Sequence, residues 1–357
     1  MMRNPASGTL FAVLVCGMAL SAEAFTSADA DAIFASYNKA FYFEEGTNGY
    51  YRATTEGGKT WFWERAEQME MVLDVYERTG DRACLTMFSN LFNGFITDHT
   101  PNWSRNEFND DILWMVIACA RGFEHTGNPA FRDAARANFD RCFARAWSDD
   151  LGGGLWWKTD NRSKNACANG PGAIAAYLLY RILGDTNYLD KSRRLFEWQR
   201  ATLFDASTGA VYDHIKADGE LDRRIFSYNQ GTFIGAAHLL GYTNEARLAA
   251  DYTMQTLSRG GLMPHYGERG DGGGFNGICA RWLAKFMKER KLENRYQSWL
   301  QRNADAAWSV RRESDNLSWP RWQSPTPAGI RYSWGCSSSV VILQVCPPTE
   351  GMGNAER

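Results

Sequence analysis

The sequence has no excess of charge of either sign. Its 39 lysines and arginines are balanced by 41 aspartates and glutamates, which leaves a formal net charge of -2. A protein that grips nucleic acid needs many unbalanced cations, because its affinity comes largely from neutralising phosphates. The composition therefore predicts no nucleic-acid partner. With 44% hydrophobic and 22% charged residues, it is typical of a folded globular chain and excludes a disordered one.

Closely spaced metal ligands are also missing. No CxxC or HxxxH pattern occurs, although zinc sites need clustered ligands of this kind. The histidines are dispersed, and we interpret each as structural: His99, His125, His214, His238 and His265. The sequence therefore predicts no metal site and no cofactor.

Long apolar runs are confined to the beginning of the chain. Arg3 is followed by an apolar stretch over residues 10–20 and by the small-x-small sequence Ala22-Glu23-Ala24, the pattern of a cleaved export signal. We therefore expect a signal peptide over residues 1–24 and a secreted or periplasmic protein.

No later segment supplies about 20 uninterrupted apolar residues, so we expect no membrane span. Val15 stands where a lipoprotein signal needs a small residue before Cys16, and residues 347–357 form a polar tail rather than a lipid-anchor signal. Of the eight cysteines, signal cleavage removes one, and the remaining seven cannot all pair within the chain. Cys119 and Cys142 lie among apolar residues at helical spacing, which indicates small core residues.

Helical patterns dominate the rest of the chain. Residues 61–79 carry an apolar stripe at helical spacing, and residues 112–123 are apolar nearly all round, as in a buried helix. Strand candidates are short and few, chiefly residues 155–158 and 211–214. The pattern predicts an all-α fold.

The ends of these helices repeat along the chain. Glycines that can end one helix, each followed by a residue that can cap the next, stand 47, 57 and 57 positions apart, at Gly80, Gly127, Gly184 and Gly241. This period is that of a helical hairpin. About twelve helices are predicted, beginning at Ser27, Trp61, Asp81, Asn109, Asn128, Asn165, Thr186, Phe226, Asn244, Gly274, Asn294 and Ser333. Six hairpins can close into a toroid with an inner and an outer ring, which we assign to residues 25–346 as one domain without a linker.

The segments before the six inner helices are rich in glycine, asparagine, aspartate and aromatic residues. In a closed toroid they all meet at one mouth, which predicts a small-molecule site there. One such segment ends in Asp110-Asp111, directly before an apolar helix. The doublet fits either simple helix capping or a pair of catalytic carboxyls about 5 Å apart, the separation found in retaining glycosidases. Asp149-Asp150 is an equal doublet, so adjacency alone leaves both interpretations open.

Four sequence motifs favour the catalytic interpretation of Asp110-Asp111, because together they resemble the motifs of a known enzyme family. Residues 109–114 (NDDILW), 152–157 (GGGLWW), 164–171 (KNACANGP) and 228–233 (YNQGTF) together resemble glycoside hydrolase family 76, the endo-α-1,6-mannanases and their fungal transglycosylase relatives. The resemblance covers residues 37–345 and implies an (α/α)6 barrel and retention of anomeric configuration. It implies that Asp110 is the nucleophile and Asp111 the acid/base. Cys167 departs from the family, which more often has an aliphatic residue there.

Eight further residues in or near these motifs are candidates for substrate binding. Neutral amides suit the recognition of hydroxyl groups, although loop or cap structure is the competing interpretation, and flat rings suit sugar faces or a large core equally well. The candidates are Asn109, Trp63, Trp156, Trp157, Asn169, Tyr228, Asn229 and Gln230.

The sequence thus predicts a secreted, monomeric retaining hydrolase that cleaves internal α-1,6-mannosidic bonds, with α-mannan or manno-oligosaccharide as its substrate. A transglycosylase of the same family uses the same covalent intermediate, and a non-catalytic glycan-binding protein is a further alternative. The absence of a C-terminal anchor signal favours hydrolysis over transglycosylation. The intact aspartate pair argues against a binding protein, which has no need of adjacent like charges.

Overall fold

The computed structural model describes residues 24–348, so the predicted signal peptide and most of the predicted tail lie outside the described residues. The described part contains twelve α-helices, each beginning within two residues of its predicted start. They are α1 Ser27–Phe41, α2 Phe62–Thr79, α3 Ala83–His99, α4 Asn109–Thr126, α5 Pro129–Ala146, α6 Ala166–Leu183, α7 Thr186–Thr202, α8 Ser227–Leu240, α9 Thr243–Tyr252, α10 Phe275–Arg290, α11 Glu293–Ser309 and α12 Ser333–Val345.

The even-numbered helices form a closed inner ring. Each packs on the next even-numbered helix, and α12 returns to α2. They are buried on nearly all sides, whereas the odd-numbered helices bury one face and expose the other. The predicted all-α class and (α/α)6 architecture are therefore confirmed.

The predicted helix ends are present in the structure. All four repeated glycines adopt the left-handed conformation, with φ between 67° and 86°, and end α2, α4, α6 and α8. Asn128 and Asp185 then cap α5 and α7 by accepting hydrogen bonds from the backbone N–H two residues later. The hairpin period was visible in the sequence because this chemistry is local.

The strand predictions were partly wrong. Residues 155–158 form only isolated bridges, because the N–H and C=O of Leu155 are taken by the side chain of Asn169. Residues 211–214 contribute only their ends to strands. The observed strands are β1 Tyr42–Glu45, β2 Asn48–Thr54, β3 Gly57–Lys59, β4 Ser163–Asn165, β5 Phe204–Asp205, β6 Ala210–Val211, β7 His214–Lys216 and β8 Leu221–Asp222. They form antiparallel sheets in the orders β1-β2-β3, β4-β7-β8 and β5-β6.

Five buried charged residues cross-link inner helices inside the barrel, and we call them the interior network: Glu67, Glu70 and Asp74 of α2, Arg121 of α4 and Arg281 of α10. Arg121 donates to Glu70 at 2.7 Å and to Asp74 at 3.0 Å. Arg281 donates to Asp74 at 2.7 Å and to Glu67 at 2.5 Å. Burial raises the pKa of Glu67 to about 8, although the positive charge of Arg281 lowers it in part. Arg121 also donates to the more exposed Glu77 of α2 at 2.9 Å, so the two guanidinium groups contact four carboxyls in all.

The seven cysteines of the described residues are buried and carry no disulfide, and the predicted core positions of Cys119 and Cys142 are confirmed. None of the helices in residues 24–348 is long and apolar enough to cross a membrane.

Candidate active site

Hydrogen bonds join the segments before successive inner helices at one end of the barrel. The N–H of Asn109, at the start of α4, donates to the carbonyl of Trp157, in the segment before α6. The N–H of Ala166, where α6 begins, donates to the backbone carbonyl of Asp213, which lies before α8. The N–H of Ser227 at the start of α8 binds the hydroxyl of Tyr266 before α10. These bonds hold the segments together at the end of the barrel where the sequence predicts the mouth.

Asp110 and Asp111, which we call the mouth pair, lie in the first turn of α4 and are both partly exposed. Oδ1 of Asp110 is shielded from solvent and has no hydrogen-bond partner among the described residues. None of the ion pairs in that part of the chain includes either aspartate. Both carboxyls therefore lie in the mouth without a cation to balance them.

The surroundings of the mouth pair favour the protonated form. Burial raises the pKa of Asp110, and the charge of Asp111 raises it further, while Trp157 and Cys167 act as hydrogen-bond donors and lower it in part. Burial likewise raises the pKa of Asp111 to about 6, although the amide of Asn106 donates to its Oδ2 at 2.8 Å and lowers it in part. Repulsion between two close carboxyls favours one shared negative charge, so the pair keeps one proton more readily than two isolated aspartates would.

Two further carboxyls lie at this mouth, and the sequence analysis did not find them. Burial raises the pKa of Glu64 to about 7, and the charges of Asp271 and Asp111 contribute to this rise. Glu64 is nearly buried at the start of α2, whereas Asp271 is exposed before α10. They are more than 200 positions apart in sequence, and neither belongs to a recognised motif. Only ring closure brings them to the mouth pair.

The predicted amides are largely used by the protein itself. Asn169 binds the backbone of Leu155 and Asn165 through three hydrogen bonds, and Asn109 donates to the carbonyl of Trp156. The side chain of Gln230 likewise serves the backbone around residues 209–211 and the end of α9. These bonds support a role in positioning loops, and direct contact of these amides with sugar stays a prediction.

Asn229 differs from the other amides. Its Nδ2 donates to Asp213 at 3.0 Å, and its Oδ1 is buried without a hydrogen-bond partner among the described residues. Asp213, which the sequence analysis missed, also lies beside Tyr228 and Cys167. Burial raises the pKa values of both residues, and the charge of Asp213 raises them further. These four side chains extend the polar wall next to Asp110.

The predicted aromatic residues divide into buried and partly exposed groups. Trp63 and Trp156 are only 9% and 6% exposed, and Trp63 packs edge-on against Trp334 at 4.7 Å between ring centres. Tyr228 stacks on Phe275 at 3.9 Å. Trp157 is partly exposed and faces Asp110. Of the predicted tryptophans, Trp157 is therefore the one that combines exposure with a place beside the mouth pair.

A groove of about 930 Å³ between α5 and α7 lies on the outer ring, away from this mouth. Two of its lining cations pair with lining carboxylates, Lys191 with Asp140 and Arg193 with Asp190. The candidate active site is therefore the mouth of the inner ring.

The barrel and its unpaired aspartates define the class of an (α/α)6 glycoside hydrolase. The family model of glycosyl hydrolase family 76 matches residues 21–344. The chain belongs to this family.

Solved structures agree with this assignment. The GH76A α-1,6-mannanase of Salegentibacter sp. HEL1_6 is 31% identical, with a TM-score of 0.82 over 89% of this chain and 98% of that one. An inactive variant of that enzyme, with two consecutive aspartates replaced by asparagine, has been solved with α-1,6-mannotriose. A family 76 mannosidase of Bacteroides thetaiotaomicron shares the fold at 19% identity, with a TM-score of 0.73 over 89% of this chain and 96% of that one.

A curated relative is the mannan endo-1,6-alpha-mannosidase DFG5 of Saccharomyces cerevisiae. It is 28% identical over 169 residues, which are 41% of this chain and 36% of that protein. The match therefore spans little more than a third of the yeast protein.

Proposed function

We propose that this protein is an exported retaining glycosidase that hydrolyses internal α-1,6-mannosidic bonds of mannan-type glycans. The observation that carries the proposal is the mouth pair: adjacent carboxyls in the mouth, with raised pKa values and no balancing cation among the described residues. The Salegentibacter mannanase supports it, because replacement of two consecutive aspartates inactivates that enzyme, which is seen with α-1,6-mannotriose.

In the first step, a carboxylate oxygen of Asp110 attacks the anomeric carbon of the mannosyl unit. The bond from that carbon to the glycosidic oxygen breaks, and the departing oxygen takes the proton of Asp111. In the second step, Asp111 takes a proton from water, the water oxygen attacks the anomeric carbon, and the bond to Asp110 breaks. Two inversions give net retention, and both carboxyls return to their starting states.

The raised pKa values suit this sequence of steps. One carboxyl must hold a proton while its neighbour is ionised, and burial together with mutual repulsion favours a single negative charge on the mouth pair. Burial and the charge of Asp111 raise the pKa of Asp110, and Trp157 and Cys167 offset this rise in part. A glycan-binding protein has no use for such a pair.

Export is part of the proposal and rests on the leader sequence, which lies outside the described residues. N-terminal sequencing of protein recovered from the medium or periplasm tests it. We expect a mature chain that begins close to Phe25, whereas an intact Met1 on the exported protein contradicts cleavage.

The activity is tested by incubating purified protein with linear α-1,6-mannan and following the new reducing ends by proton NMR. Early appearance of the α-anomer supports hydrolysis with retention. Early β-anomer overturns the roles of the two aspartates. Products longer than the starting oligosaccharide indicate transglycosylation, and a lack of products overturns the proposed activity.

A further inference from the structure

One large aromatic side chain at the mouth faces solvent instead of the core. Trp61 is 76% exposed. Among residues 24–348, the other large apolar side chains that are exposed are Phe43 and Ile330. Its neighbours Phe62 and Trp63 are 8% and 9% exposed. The chain thus buries two of three consecutive aromatic rings and leaves the third one in water at the start of α2.

The backbone of Trp61 is held firmly although its side chain is free. Its N–H donates to the carboxylate of Glu64 at 3.0 Å, and its carbonyl accepts from the N–H of Arg65 at 3.1 Å. The guanidinium of Arg65 also binds the carbonyl of Thr60 and pairs with Asp98 at 2.8 Å. A ring with two side-chain torsions on a fixed backbone loses little conformational entropy when a ligand stacks on it.

The position of Trp61 relative to the mouth pair follows from Glu64. The carboxyl of Glu64 binds the backbone of Trp61 and lies close enough to Asp111 to feel its charge. Trp61 precedes α2, which packs on one side of α4, so together with Glu64 it lies on the Asp111 side of the mouth. Trp157 lies in the segment before α6, which packs on the other side of α4.

We propose that Trp61 is a stacking platform for the sugars on the reducing-end side of the bond that is cleaved. This inference rests on the proposed function. The acid/base must reach the oxygen that departs with the reducing-end fragment, so that fragment extends past Asp111. An indole face there matches the apolar face of a pyranose ring. The platform binds the leaving fragment and takes no part in proton transfer.

The test is the cleavage pattern of α-1,6-mannopentaose labelled at its reducing end. Wild type is compared with Trp61→Ala, with Trp61→Phe, which keeps a ring, and with Phe43→Ala. Phe43 is a matched control because it is 39% exposed on β1, in the hairpin that contacts α3. The cap bonds of Trp61 come from its backbone, so both replacements at this position retain them.

We expect Trp61→Ala to raise KM for the pentaose about three- to tenfold, the worth of one stacked ring. The labelled product becomes shorter, because fewer sugars are held beyond the cleaved bond. Trp61→Phe retains most of the wild-type pattern, and Phe43→Ala retains all of it. The effect on an aryl mannoside, which has no sugar in its leaving group, is much smaller than on the pentaose.

An unchanged pattern in Trp61→Ala overturns the platform while leaving the proposed function intact. A labelled product that becomes longer places Trp61 on the non-reducing side and also overturns the inference. If wild type does not cleave the pentaose at all, the proposed function fails and the platform fails with it. A loss of pentaose and aryl mannoside activity by the same factor assigns Trp61 to folding or catalysis instead.

Discussion

The mouth pair and the interior network both place carboxyl groups in poorly solvated surroundings, but their partners differ. In the interior, Arg281 contacts two carboxyls of α2 and Arg121 contacts three, all within 3.0 Å. At the mouth, none of the ion pairs of the described residues reaches Asp110 or Asp111. The interior carboxylates therefore cross-link helices, whereas the mouth carboxyls keep their repulsion and their affinity for protons.

This difference shows that the same barrel uses paired carboxyls for stability and unpaired carboxyls for proton transfer. A buried charge is tolerated when it is paired, and it becomes very unfavourable when its partner is removed. A carboxyl without a cation shifts its pKa instead, which suits it to proton transfer. The comparison can be tested by removing partners in each region.

The largest effect is expected at the mouth pair. Asp111→Ala should lower kcat on mannan by about 10² to 10⁴-fold, because the departing oxygen loses its proton donor. An activated aryl mannoside should still glycosylate this variant, and azide should restore turnover, since azide needs no base. Asp110→Ala should lose at least as much activity and show no such rescue with retained configuration.

The exposed doublet Asp149-Asp150 provides the control for this experiment. Its double alanine variant should keep wild-type turnover. Azide rescue of Asp110→Ala with a retained product, while Asp111→Ala stays inert, reverses the two roles. A loss below about tenfold in both variants places the catalytic centre elsewhere.

The next effect is on stability and concerns the interior network. Arg281→Met leaves Asp74 and Glu67 without this cation and should lower the free energy of unfolding by about 3 to 5 kcal/mol. Urea denaturation followed by tryptophan fluorescence measures it. Arg295→Met, which removes a partly exposed pair with Asp251, should cost about 1 kcal/mol or less. Equal losses in both variants contradict the special role of the interior.

A smaller effect sharpens the mouth side of the comparison. The amide of Asn106 stabilises the ionised form of Asp111, so Asn106→Ala should raise the pKa of Asp111. Because Asp111 must be protonated in the first step, the alkaline limb of kcat/KM should move to higher pH by roughly half to one unit. Asn102→Ala is the control, because this amide bonds only within its own loop. A downward shift contradicts the assigned role of Asp111.

The smallest effect is expected for Glu67→Gln near pH 5. The folded pKa of Glu67, about 8, lies above its ordinary value of 4.5, so the carboxyl is neutral in the folded protein at pH 5. Because the amide of glutamine is also neutral, the free energy of unfolding should change by less than about 0.5 kcal/mol. Its contribution to wild-type stability is complete below pH 4.5 and is lost as pH rises towards 8. The variant should lack this decline. A loss at pH 5 as large as that of Arg281→Met shows that Glu67 is ionised there.

Much of the fold was predictable because its signals are local. Left-handed glycines, caps and the apolar period of the helices depend on residues a few positions apart, and all twelve helices begin close to the predicted residues. The strands were less predictable because segments of two or three residues carry little pattern. The side chain of Asn169, for example, replaces a strand partner at Leu155.

At the candidate site, the sequence by itself determined the adjacency of Asp110 and Asp111 at the start of an apolar helix, because that placement needs only one turn of chain. Tertiary structure decided everything that depends on ring closure. It turned Asn169 and Gln230 towards backbone groups and brought Glu64 and Asp271 to the mouth pair. Burial and electrostatic surroundings are set by distant neighbours, which no local pattern encodes.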